Sequence, residues 1–144
     1  MGAGAIQPGL TQFTQNTRLN AEKMNAWIME AAEQCGVLAI PELRPATKLG
    51  DLLERWDTSR QLIFCDEDSS TDNPAGALSG LQEKKLGVLV GPEGGFSDEE
   101  RELLRGKPFV TAIPLGPRIL RADTAAVAAL TAVQMICGDW DAPA

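Results

Sequence analysis

Residues Leu86–Phe96 read LGVLVGPEGGF. The first five are a continuous apolar run, the pattern of a strand covered on both faces rather than one face only. The next six form a backbone-permissive turn, Gly91-Pro92-Glu93-Gly94-Gly95-Phe96, whose glycines allow a ligand to approach main-chain N–H groups closely. Ser97 with Glu100 three residues later makes a capping box, and Asp98, Glu99 and Glu100 suit the positive end of the helix that follows. The segment therefore predicts strand, glycine turn and capped helix. The same turn also reads simply as a tight entry into that helix.

The surrounding chain repeats the alternation. Residues 3–7 are a short apolar run stopped by Pro8-Gly9. Asn20 is an N-cap for a helix over 21–35, with Met24, Trp27, Ile28, Ala31, Ala32 and Cys35 on one buried face and Gly36 as its stop. VLAI (37–40), ended by Pro41, reads as a strand. Lys48–Trp56 reads as a helix with Leu49, Leu52, Leu53 and Trp56 on one side. QLIFC (61–65) is a buried strand, 66–74 a polar loop, VTAIPL (110–115) a further strand, and an alanine-rich helix runs from 122 to 137. Continuous apolar strands alternating with helices predict an α/β fold: a mainly parallel sheet with helices on both faces. Ligands of such sheets bind beyond the carboxyl ends of the strands, which here are the loops 66–74, 91–97 and 115–121.

Composition narrows the chemistry. The chain has 144 residues and 44% hydrophobic content, enough for one compact domain. It has no histidine and no tyrosine, which removes the commonest general base and metal ligand. Cys35, Cys65 and Cys137 are too scattered for a zinc site or disulfide framework and are expected as buried free thiols, so no metal site is expected. None sits in a polar motif that would activate a thiol nucleophile. No apolar run reaches the roughly 18 residues that a membrane span needs, and no signal peptide is recognisable, so a cytoplasmic location is expected. The net charge of −7 speaks against a broad nucleic-acid-binding surface and leaves only local basic groups.

A phosphate loop is excluded for the glycine turn, because neither GxxxxGK[ST] nor GxGxxG is present and Glu93 would repel phosphate. A ligand with hydroxyls, an amine and a positive sulfonium suits it better. The second motif is Leu115-Gly116-Pro117-Arg118-Ile119-Leu120-Arg121-Ala122-Asp123-Thr124-Ala125. Ile119 and Leu120 can sandwich a flat base while Arg118 and Arg121 offer fixed donors. Alone, it also reads as an ordinary helix entry with solvated arginines.

Taken together, GPEGGFSDEE and LGPRILRADTA resemble the paired cofactor motifs of the SPOUT-class 16S ribosomal RNA (uracil-N3)-methyltransferases. EAAEQCG (30–36) is similar to that family's helix before a strand and a proline. The resemblance runs from about residue 3 to 138 and is weakest over 44–82. It implies an S-adenosylmethionine-dependent methyltransferase of the SPOUT (alpha/beta knot) fold with a C-terminal trefoil knot. It also implies a homodimer, its helices packed closely through the small residues of 122–138, and a 16S rRNA or small-ribosomal-subunit substrate. Cofactor contacts carry over to Cys65, Asp66 and Glu67, to Gly91, Pro92, Glu93, Gly94 and Gly95, and to Leu115, Gly116, Arg118, Ile119, Leu120 and Arg121. Arg121 is the first choice to stabilise charge on the uracil. Arg18 is the second, acting across the dimer, and Glu93 either binds cofactor or helps remove the N3 proton. The family also carries an N-terminal PUA-like RNA-binding domain, so 1–144 reads as a SPOUT domain that is incomplete at its N-terminus. That makes a cofactor-binding dimer without RNA-modifying activity the alternative. Where the family usually has a basic residue after EQCG, this chain has Val37.

Overall fold

The computed structural model describes residues 2–15, 17–82, 84–138 and 140. The chain divides into two compact units, Gly2–Arg55 and the part from Trp56 onward.

In the first unit, β1 (Ala5–Ile6) and β2 (Gly9–Leu10) precede helix α1 (Ala21–Gln34), which is followed by β3 (Glu42–Leu43), β4 (Thr47–Lys48) and α2 (Leu49–Glu54). β1 pairs with β3 and β2 with β4, both parallel. Asn20 caps α1 by accepting the Lys23 N–H at 2.9 Å. At its other end the Val37 N–H donates to the Ala32 carbonyl at 2.8 Å and Gly36 to Glu33 at 3.2 Å, the paired bonds of a Schellman ending.

Three expectations fail in this unit. VLAI (37–40) forms no strand: the Val37 N–H is consumed by the helix ending, Leu38 is fully exposed, and pairing begins only after Pro41, at Glu42. The apolar face of α1 is not buried: Ala32 alone is inside, Trp27 is 56% exposed and Cys35 is an exposed thiol. α2 ends at Glu54 with Leu49 and Leu53 buried, so Trp56 lies beyond the helix. The Trp56 ring instead stacks on Phe109, with centroids 6.1 Å apart, and its N–H donates to the Arg60 carbonyl at 2.8 Å.

The second unit contains β5 (Arg60–Cys65), α3 (Pro74–Ser79), β6 (Lys85–Leu89), α4 (Asp98–Arg105), β7 (Val110–Ile113) and α5 (Ala122–Cys137). Its sheet has the order β6-β5-β7, all parallel. Alternation along β5 sends Ile63 to one face, where it packs with Leu78 of α3, Ile113 of β7 and Val133 of α5. Phe64 faces the other way and meets Phe96 edge-on, with centroids 5.0 Å apart. Asp66 continues the Phe64 side and is bonded to α4. Helices thus cover both faces of a parallel sheet, as expected of the α/β class. α5 buries Ala125, Ala129 and Val133, a stripe of one residue every four. α3 has no counterpart in the sequence reading. Asn73 starts it by accepting the Gly76 N–H at 2.8 Å, and Pro74 occupies the first turn.

Candidate functional site

One cavity of about 290 Å³ opens at the carboxyl ends of β5, β6 and β7. That is the lower end of the range for small-molecule sites. Strand β5 delivers Cys65, Asp66 and Glu67 to its wall. The turn after β6 contributes Val90, Gly91, Pro92, Glu93, Gly95 and Phe96. The segment after β7 contributes Leu115, Gly116, Arg118, Ile119, Leu120 and Arg121, with Ala122 and Ala125 from the start of α5. The three loops singled out in the sequence therefore converge. Gly94 is exposed and lies outside this wall. Arg18 belongs to the first unit, on the exposed segment leading into α1.

Local chemistry explains the shape of the turn. Gly95 has φ +68, a left-handed conformation that costs other residues roughly 1–2 kcal/mol. At Gly91 a Cβ would stand 2.6 Å from the Phe96 ring, which folds back beneath the turn. Ser97 and Glu100 exchange both capping-box bonds, 3.0 Å and 3.2 Å, and so fix where the turn ends and α4 begins.

The buried side of the cavity is an ion cluster that sequence reading missed. Asp66 is 1% exposed. It accepts from Arg101, and from Arg105 through Nε at 2.9 Å and through a terminal nitrogen at 2.5 Å. Arg101 also donates to Glu67 at 2.6 Å, pairs with Asp68 at 3.3 Å, and directs its Nε to the Phe96 carbonyl at 3.4 Å. The signal in the sequence was two arginines four apart on the capped helix, with a facing acidic run, Asp66-Glu67-Asp68. Removing one partner from such a buried group costs about 3–5 kcal/mol, because it strands the remaining charge.

Burial alone would raise the Glu67 carboxyl. The Arg101 hydrogen bond, Glu67's own backbone N–H and the Arg101 charge outweigh it, so the group lies below the ordinary carboxylate range. Burial pushes the Cys65 thiol up to about 12, so this wall of the cavity carries a neutral S–H. Arg118 and Ile119 are exposed at the rim, Ile119 by 87%. The Arg121 side chain is 83% exposed, with Asp123 at 3.8 Å.

The donor set suits a nucleoside carrying a positive charge. Val90, Phe96, Leu115 and Leu120 supply apolar surface for a base, the turn supplies backbone, and Glu67 and Glu93 supply acceptors. The family described as RNA methyltransferase domain matches residues 1–134. The chain belongs to this family.

Among members of the RNA methyltransferase domain family, the chain is 31% identical over 137 residues to a ribosomal RNA small subunit methyltransferase E from Rickettsia conorii, covering 94% of this chain and 55% of that protein. A methyltransferase from Legionella pneumophila, solved in complex with the bound cofactor SAM, superposes with TM-score 0.75 at 36% identity, over 93% of this chain and 56% of that one. The ribosomal RNA small subunit methyltransferase E of Neisseria gonorrhoeae, bound to S-adenosyl methionine, gives TM-score 0.67 at 27% identity, over 94% and 56%. The chain thus spans about half the length of these relatives.

Proposed function

We propose that this chain transfers a methyl group from S-adenosylmethionine to N3 of a uridine in 16S ribosomal RNA. The observation that carries the reading is the cavity at three parallel strand ends, apolar within, with carboxylates on its wall and two arginines on its rim. The names of the matched relatives, which are small-subunit RNA methyltransferases and SAM-bound structures, support the same substrate pair.

In this reading the loops after β5, β6 and β7 hold S-adenosylmethionine, which supplies an electrophilic methyl group on a sulfonium. The chain's own residues do the rest. The apolar wall and the Gly95 backbone exclude water and set the orientation. Arg121, exposed at the rim, places a permanent positive charge where negative charge develops over O2, N3 and O4 of the uracil. Arg18 is the second such arginine and acts from the partner protomer. Glu93 accepts the N3 proton, directly or through water, or else holds the cofactor. Glu93→Gln separates these duties: lost turnover with unchanged cofactor binding assigns the proton, and weakened binding assigns the contact.

The reading includes a trefoil knot in the C-terminal part, a homodimer and a cytoplasmic location. Val127 and Met135, 60% and 59% exposed on α5, favour the dimer. No helix among the described residues is long and apolar enough to cross a membrane. The net charge of −7 leaves chiefly Arg118 and Arg121 to meet phosphates. RNA affinity should therefore be weak and fall with salt at a log–log slope of only about −2, near 0.9 per phosphate neutralised.

The test is calorimetry with S-adenosylhomocysteine followed by methyl transfer to small-subunit RNA. Binding with N3-methyluridine formation is expected. A folded chain that binds no S-adenosylhomocysteine sinks the reading. Light scattering that finds a monomer at micromolar concentration removes the dimer from it.

A further inference from the structure

We propose that Glu67 receives the vicinal hydroxyls of the cofactor's ribose, and that Arg101 is the positioning residue that holds Glu67 in place to do so. This rests on the cofactor reading above. The three side chains that follow one another at the end of β5 are not equivalent. Cys65 is buried and neutral. Asp66 is buried and its two oxygens are taken up by Arg101 and Arg105. Glu67 alone of the three is a charged acceptor reachable from the cavity, its side chain 43% exposed.

Arg101 binds Oε1 of that carboxylate at 2.6 Å, which leaves acceptor capacity on the cavity side. A diol needs two acceptor positions at fixed geometry, and a carboxylate clamped by a guanidinium offers them without first losing side-chain freedom. Of the other two carboxylates on the wall, Asp66 has its oxygens taken up, and Glu93 has no such clamp among the described residues. Carboxylates near the ends of parallel strands recognise ribose hydroxyls in other nucleotide folds for the same geometric reason.

Arg101 also joins two loops. Its Nε reaches the Phe96 carbonyl at 3.4 Å, and the point where a Cβ would stand on Gly95 lies 3.5 Å from its guanidinium and 3.4 Å from Glu67. The loop after β5 and the turn after β6 are thus set by one side chain, and Glu67 is placed relative to the backbone that flanks the ligand.

The test is calorimetry on the full chain with S-adenosylhomocysteine and its 2′-deoxy analogue. The wild type should bind the deoxy compound about tenfold more weakly, the worth of one hydrogen bond to a charged group. In Glu67→Gln that ratio should fall to about twofold. In Arg101→Lys, which keeps the charge but not the fork, it should fall to an intermediate value. Should Arg101→Lys fail to fold, Arg101→Gln, which keeps one N–H donor for Glu67 but not the fork, should lower the ratio likewise. A merely structural role weakens both ligands by the same factor and leaves the ratio unchanged. An unchanged ratio in Glu67→Gln overturns the hydroxyl assignment. A ratio lowered there but unchanged in the folded Arg101 variants overturns the positioning role. Wild-type binding of both ligands with equal affinity overturns this proposal and spares the cofactor reading, whereas no binding of either overturns both.

Discussion

The two units use similar sequence patterns and reach different degrees of burial. From Trp56 onward, Ile63, Phe64 and Leu104 are completely buried, and the sheet is covered from both sides. Within Gly2–Arg55 the strands are two residues long, α1 buries only Ala32, and Trp27, Met29, Leu38 and Ile40 remain substantially exposed. An apolar pattern states that a face is to be covered. It does not state by what, and only where the cover comes from the same unit does the pattern become visible burial.

The thiols give the largest expected contrast. Cys35 is exposed on the first unit and Cys65 is buried in the second, its ionisation pushed up to about 12. Iodoacetamide labelling followed by mass spectrometry should modify Cys35 at least about 10³-fold faster, because Cys65 reacts only from the small opened population. Comparable rates would show that the second unit opens far more readily than its packing implies.

Core truncation should follow. Phe64→Ala should cost about 3–5 kcal/mol in urea denaturation, whereas Trp27→Ala, which removes a ring already 56% exposed, should cost less than about 1 kcal/mol. A large loss at Trp27 would mean that its face is covered in solution, and concentration dependence of that loss would identify a second copy as the cover.

Within the site the contrast shifts from unit to residue. Gly95→Val should weaken S-adenosylhomocysteine binding at least about tenfold, because a β-branched residue resists the left-handed backbone at φ +68. Gly94→Val, on an exposed position outside the wall, should change affinity less than Gly95→Val does. The reverse order, measured by calorimetry on folded variants, would show that the turn rearranges on binding.

The smallest effect concerns acid. The folded Glu67 carboxyl sits below its ordinary value of 4.5. Its contribution is therefore complete above that value and is lost as pH falls through the lower folded one. With the side chain 43% exposed, solvent screening limits it to less than about 1 kcal/mol. Denaturation curves taken from about pH 6 down to about pH 3 should be slightly flatter for Glu67→Gln than for the wild type. Identical slopes would mean that the Arg101 pair contributes nothing to stability.

Legibility in the sequence followed the source of each signal. Asn20, Ser97 with Glu100, and the run from Ala122 to Cys137 act through bonds within a few residues, and the structure places these elements where they were read. The three cavity loops were legible because parallel strands deliver their ends to one edge of a sheet. The strand expected at 37–40 was not formed, since a short apolar run carries no information about whether a pairing partner is free. α3 was missed because its asparagine and proline start reads equally as loop. Arg101 and Arg105 were missed for a different reason: their partners lie more than thirty residues away, at separations of 35 and 39.

The placement of Trp56 turns the second unit into its own optical reporter. Its indole is stacked on Phe109 and hydrogen-bonded to the Arg60 carbonyl, whereas Trp27 is largely open to water and has the Lys23 ammonium 4.9 Å above its ring. The half-buried chromophore should emit further to the blue and resist iodide, and the open one should emit to the red and be quenched. Trp140, 53% exposed, joins Trp27 in the red, quenchable part of the spectrum, so the blue, iodide-resistant component from Trp56 reports on the second unit without an added label.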